Sequence, residues 1–355
     1  MSAEPSLRIL VVGQTILGSR TPQRVAAMAG LGHRVETVAI NRDGATYEDR
    51  PSLMERIRYR LRLPADPAGA NRELARRVTD GFDVVWIEAA PMIRAATLRT
   101  VRRLAPHTPI VWYGEDDMMN PRHLSRWLKA AIPLFDLWVT TKSFNAAPDE
   151  LPALGARNVL FVDNSFDSSL HRPAAPDDAR RARLAADVSF VGTYEAPRAA
   201  SLLALAQAGV AVRVWGNGWQ RMADTNAHLV IEGRPVYDDE YAAVISASRI
   251  NLGFLRKGNR DLQTCRTVEI PACGGFMLHE HSDEACRLFR PDHEAAFFHD
   301  DTELVEQCRH WLADEAGRQR VAAAGRARAL KDGYDHAHRL AFILNRALDG
   351  KGTKR

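Results

Sequence analysis

The sequence predicts an α/β fold of two doubly wound, parallel-sheet domains facing across a cleft. Short β-branched runs alternate with helical stretches along the chain. The pattern restarts near residue 187, and 355 residues is the length of about two domains. With 46% hydrophobic and 26% charged residues, either half can bury its own core, and a fibrous, collagen-like or wholly disordered chain is excluded.

The elements follow in order. Leu7–Val12 reads as a strand: its stretch Ile9–Val12 is unbroken apolar, as a strand buried on both faces requires, and it stops at Gly13. Small and apolar residues at helical spacing predict a helix over Thr21–Gly30, and Gly32 turns the chain into the strand Val35–Ile40. Phe82–Ile87, Pro109–Tyr113, Leu137–Thr141 and Val159–Val162 read as further strands, with a helix around Pro121–Ala130. The second series holds the strand Asp187–Val191, helix Arg198–Gln207 and strand Ala211–Trp215, a weak internal repeat of the first βαβ unit. Leu229–Glu232, Ile250–Phe254, Gly275–His279 and Ala295–His299 are strands; Asp238–Ser248 and Thr264–Cys273 are helices, and Asp301–Leu348 is nearly all helical. The run RPAAPDDARRAR, with Pro173 and Pro176, has no strand pattern and reads as the boundary. The expected division is therefore 1–172, a linker 173–186, a second domain 187–335, and a final helix 336–355 packing back on the first domain. The tail KGTKR reads as frayed.

In parallel sheets, ligands bind beyond the strand C-termini. The first strand leads into GQTILG, which is not a dinucleotide fingerprint. Glu88 follows the third strand. Glu115-Asp116-Asp117 follows the fourth and reads either as a general base or metal ligands, or as a solvated acidic turn with Asp117 capping the next helix. Met118-Met119 lines an acceptor pocket or packs in the core. In the second half, Gly192-Thr193 with Arg198 suits a diphosphate at a helix start. Gly216 and Gly218 let a ligand approach the backbone, and Trp219 offers a stacking face. The densest stretch, Asn251–Glu280, brings Arg256, Lys257, Asp261, Gln263, Thr264 and Arg266 together, with Glu269 placed to receive ribose hydroxyls.

RTVEIPACGGFMLHE resembles the donor-site helix of GT-B glycosyltransferases of group 1, a family 4-like pattern. DLQTCRTVE resembles their EX7E motif, with Asp261 in the first place. LGHRV, FVDNSFDSSLHRP, SFVGTYEAPR and the helices from Glu294 to Leu330 match in order, and CgeB-like proteins are the most similar subgroup. The resemblance implies two Rossmann-like domains, an N-terminal acceptor domain and a C-terminal nucleotide-sugar domain. It implies transfer from a UDP, GDP or dTDP sugar, metal-independent and retaining, with no tightly bound cofactor. Carried over, Glu269 binds the donor ribose, Arg198 the phosphates, and Asp261 approaches the sugar. Thr193 stands where many relatives have Arg. The acceptor is open: a saccharide, a lipid-linked molecule, a natural product or a protein. A nucleotide-sugar epimerase and a non-catalytic binding or assembly protein are the rival readings.

The net charge of +4 gives no case for nucleic acid. Four cysteines lack CxxC spacing and read as buried thiols, and His279-Glu280-His281 and His336-Ala337-His338 as ordinary histidines rather than metal ligands. The N-terminus lacks the apolar core of a signal peptide, and no span approaches ~20 apolar residues, so a cytoplasmic protein is expected. MERIRYRLRL, residues 54–63, reads either as a surface helix or as a weak contact with the inner membrane face.

Overall fold

The computed structural model describes residues 5–175 and 177–352. Residues 1–4, Pro176 of the expected boundary and the tail end 353–355 lie outside them. Among the described residues the strands are β1 Arg8–Gly13, β2 Arg34–Ala39, β3 Val84–Glu88, β4 Ile110–Gly114, β5 Leu137–Thr140, β6 Val159–Phe161, β7 Ala186–Val191, β8 Val212–Trp215, β9 Leu229–Ile231, β10 Ser248–Gly253, β11 Met277–Glu280 and β12 Ala296–Phe298. They form two six-stranded sheets, ordered β2-β1-β3-β4-β5-β6 and β12-β11-β10-β7-β8-β9, and every pairing is parallel.

Successive strand residues point to opposite faces, so each sheet has two cores. On one face of the first sheet, Ile9, Val11, Trp86 and Tyr113 meet Met28 of α1 (Arg20–Gly30) and Leu340, Ile343 and Leu344 of a late helix, His336–Gly352. On the other face, Leu10, Val12, Val85 and Trp112 pack under the helices following β2, β3 and β4. Those helices are α3 (Ala70–Arg77), α4 (Ala95–Leu104) and α5 (Arg126–Ala131), held by Leu74, Leu98 and Leu128; α2 (Leu53–Arg60), also after β2, buries none of its residues. Around the second sheet stand α6 (Asp178–Leu184), α7 (Ala196–Gln207), α8 (Asp238–Ala247), α9 (Cys265–Ala272), α10 (Asp283–Leu288), α11 (Asp301–Ala313) and α12 (Glu315–Lys331); the late helix is α13. Phe190, Val214 and Leu252 pack toward α7 and α11, while Val191 and Met277 pack toward α8 and α9.

The chain divides into unit 1, Met1–Asp163 with His336–Arg355, and unit 2, Asn164–Asp335. The division falls earlier than 172. The Phe166 amide donates to the Tyr334 carbonyl at 3.1 Å, and Asn164 is tied to Gln263, so this stretch belongs to unit 2. The expected linker is not featureless either. Asp177 caps α6 by accepting from the Arg180 amide at 2.7 Å, and Leu184 enters the unit 2 core. Asp117 caps no helix: Ser125 is the cap of α5, accepting from Leu128 N at 2.9 Å. Among the described residues, no helix is long and apolar enough to cross a membrane.

Candidate functional site

In the second sheet the connections leave β7 toward one edge and β10 toward the other, making these neighbours the topological switch point. β7 ends before Gly192, whose bare Cα faces the Phe190 ring; a Cβ there would come within 2.7 Å of it. The chain enters α7 through Pro197, a residue suited to a helix start because its missing N–H is not needed there. Arg198 follows and is buried, 9% exposed. Its Nη1 donates to the Thr193 carbonyl at 3.2 Å and lies 3.6 Å from Glu195, while its buried Nε–H meets no acceptor. Burial holds the guanidinium's pKa below its usual value. Glu195 and Asp261 oppose this, and the like charges of Arg256 and Arg266 reinforce it.

Arg256 and Asp261 come from the loop after β10, and Arg266 from α9. Asp261 is buried and accepts from the side-chain amide of Asn259 at 2.6 Å and from the Arg256 amide and Nε at 3.2 and 3.3 Å. It shapes the loop after β10. Lys257 is exposed and pairs with Glu280, which also accepts from the Leu255 amide. In α9, Glu269 is buried; Arg266 Nη1 donates to it at 2.6 Å, and His171 Nε2 lies 3.6 Å away. Arg266 also donates to the Val191 carbonyl and lies over the Tyr241 ring. Thr264 is the N-cap of α9 and donates its amide to Thr267 Oγ1 at 3.0 Å; that hydroxyl meets His279 Nε2 at 2.9 Å. Burial lowers the His279 pKa, and the ring sits where a Gly253 side chain would be. His281 stacks on His299, and no cluster of three potential metal-ligating side chains occurs among the described residues.

Three donor-site expectations are corrected. Trp219 is fully buried, its Nε1 donating to the Gly192 carbonyl at 2.8 Å, so it offers no stacking face. Gly216, at φ +148°, admits that same carbonyl, and Gly218, at φ +85°, packs on Tyr194; the close approach is between two loops, not to a ligand. Gln263 is fully buried and spent: its oxygen accepts from the Asn164 amide at 2.9 Å and its nitrogen donates to Glu284 at 2.8 Å.

In unit 1, Glu88 is enclosed. It accepts from Arg24 at 2.5 Å, Thr21 at 3.0 Å and Trp86 at 3.3 Å, and Arg24 also pairs with Glu115. Asp117 is buried, accepting from the Met119 amide and from Asn145. Neither carboxylate faces an opening as a base must. Asp116 does: it lies 3.6 Å from His123, and both line a cavity of about 230 Å³ with Tyr59, Trp112, Glu115 and Met118. The buried Trp112 Nε1 has no hydrogen-bond partner.

Sequence reasoning missed His171, Tyr241, Arg24 and His123. His171 lies in the SLHRP run, whose only signal was the resemblance; Arg24 stands in α1 beside Arg20, Thr21 and Gln23, and nothing in the sequence marks it as buried.

A family model described as glycosyl transferase-like matches residues 198–345. No curated protein matches the chain. Solved structures do. Sucrose-phosphate synthase from Thermosynechococcus elongatus is 14% identical with a TM-score of 0.64, over 96% of this chain and 98% of that one. Anabaena HepE in complex with UDP and glucose is 15% identical, TM-score 0.63, over 96% and 99%. A UDP-forming trehalose-phosphate synthase from Burkholderia xenovorans is 13% identical, TM-score 0.65, over 98% and 100%. The fold is thus the α/β architecture of GT-B glycosyltransferases.

Proposed function

We propose that the chain is a glycosyltransferase that binds a nucleotide-diphosphate sugar on unit 2 and passes the sugar to an acceptor held by unit 1. One observation carries the reading: a buried arginine at the switch point, Arg198, has an orphan N–H and is crowded by Arg256 and Arg266. A diphosphate supplies an acceptor for that orphan N–H and negative charge between the three crowded guanidiniums. The bond between the anomeric carbon and the β-phosphate oxygen breaks, the nucleoside diphosphate leaves with the electron pair, and the acceptor oxygen passes its proton to the departing phosphate oxygen as the glycosidic bond forms. The arginines and the first N–H groups of α7 stabilise the leaving diphosphate without a metal. Glu269 receives the ribose hydroxyls once Arg266 turns toward the phosphates. Thr264 and Lys257 flank the same loop, Asp261 positions Arg256, and Asp116 with His123 faces the acceptor. Retention of configuration follows the family resemblance. UDP is the first nucleotide to test, because HepE is bound to UDP and the trehalose-phosphate synthase forms it.

The test is calorimetry with UDP, GDP and dTDP on wild type and Glu269→Ala, followed by turnover of the sugar nucleotide that binds. Losing hydrogen bonds to a charged group is worth ~1.5–3 kcal/mol, so affinity falls roughly tenfold to 150-fold. Undiminished binding by the variant removes the ribose role. Isomerisation of the donor alone indicates an epimerase, and binding without turnover a non-catalytic protein.

A further inference from the structure

Helix α2 is closed at its start by a reciprocal box: the Glu55 amide donates to Ser52 Oγ at 3.3 Å and the Ser52 amide to Glu55 at 2.7 Å. Yet it buries none of its residues. Leu53, Met54, Ile57 and Leu61 are 71, 60, 42 and 50% exposed. At ~100° per residue, these four share one arc of about 100°. Arg56 and Arg60 border that arc on one side and Arg58 on the other. Tyr59 falls on the opposite side and lines the unit 1 cavity, so the apolar stripe faces away from the fold. The segment 50–62 holds five arginines and one glutamate, a charge of +4 that equals the net charge of the whole chain; the remainder is neutral.

We propose that α2 docks unit 1 on an anionic lipid surface. The stripe enters the acyl boundary while the flanking guanidiniums reach the phosphates, their apolar stems running beside it. Charge selects this occupant over a second copy, because two such segments repel. The inference stands apart from the transferase reading, since its test reads lipid binding alone.

The test is sedimentation of the full chain with vesicles of phosphatidylcholine alone and with an equal part of phosphatidylglycerol, at low and high salt. The chain is expected to bind the anionic vesicles, release at high salt, and ignore the neutral ones. Arg56→Gln with Arg58→Gln and Arg60→Gln weakens partition roughly a hundredfold, at ~1 kcal/mol per arginine near the surface. Leu53→Ser with Ile57→Ser weakens it roughly tenfold or more. All five positions are exposed or nearly free of protein contact, and thermal unfolding checks that each set keeps the wild-type fold. Equal binding to neutral vesicles, wild-type binding by either folded variant set, or a concentration-dependent dimer abolished by Leu53→Ser with Ile57→Ser overturns the proposal.

Discussion

Arg198→Met separates a residue kept for a ligand from one kept for the fold. Methionine fills the space of the arginine stem and removes the charge. In the free protein the loss is one hydrogen bond to the Thr193 carbonyl, a partly exposed pair with Glu195, and a contact over the Phe190 ring at 5.6 Å. Each is worth ~1 kcal/mol or less. Against that stand the orphan Nε–H, a penalty of ~1–3 kcal/mol, and repulsion from Arg256 and Arg266. The two sides nearly cancel, so urea unfolding of the free variant stays within ~1 kcal/mol of wild type. Binding is another matter, because the variant forfeits charge-assisted hydrogen bonds of ~1.5–3 kcal/mol, and UDP affinity by calorimetry falls roughly tenfold to 150-fold. The reasoning is refuted by the opposite pattern: a variant that loses several kcal/mol of stability and binds UDP as wild type does.

Arg24→Ala strands Glu88 in the unit 1 interior and costs ~3–5 kcal/mol in urea unfolding followed by tryptophan fluorescence, with partial recovery on adding Glu88→Gln. Gly216→Ala places a methyl against the Gly192 carbonyl at an unfavourable φ and costs ~2–5 kcal/mol, whereas Gly209→Ala, at φ +81° with open space around it, costs ~1 kcal/mol; equilibrium unfolding compares them. Burial raises the Cys308 thiol from 9.0 to about 12, so the folded state holds its proton where the unfolded chain has lost it. Stability from this group is complete below about pH 9 and falls as pH rises toward 12, and a thiol reagent at neutral pH labels Cys308 only in denaturant. His279 has the opposite sense. Its folded pKa lies below 6.5, so the unfolded chain binds a proton first and stability falls as pH drops below about 6.5. His279→Asn flattens that limb in a pH series of unfolding midpoints.

The strands were legible because parallel strands buried on both faces leave unbroken apolar runs such as Ile9–Val12 and Val84–Ile87, and such runs need no partner to be seen. Helix α6 was not, because its hold on unit 2 is one leucine, Leu184, behind a string of arginines. At the site, spacing was legible and orientation was not. The Asp261–Glu269 interval is read directly from the chain, but Gly216 and Trp219 acquire their roles from Gly192, more than twenty residues earlier. Glycines and a tryptophan after a strand look alike whether they face a ligand or another loop. The Arg24–Glu88–Glu115 cluster joins three elements and has no sequence signature at all. In α2, arginines at every second position hid the Leu53–Ile57–Leu61 stripe, which emerges only once four-residue spacing is imposed.

Because α13 completes the core of unit 1, the order of synthesis constrains the order of folding. Unit 2 is one uninterrupted stretch, 164–335, and can fold as soon as it clears the ribosome. Unit 1 is begun first and finished last: its sheet is made by residue 163, but Leu340, Ile343 and Leu344 arrive about 180 residues later. At ~5–20 residues per second that is a wait of roughly 10–40 s. Through it, the faces of Ile9, Val11 and Trp86 that α13 will cover lack their partner. A chain ending between 335 and 340 and released from the ribosome would therefore carry a folded second half and an aggregation-prone first half, which is where a chaperone has most to do.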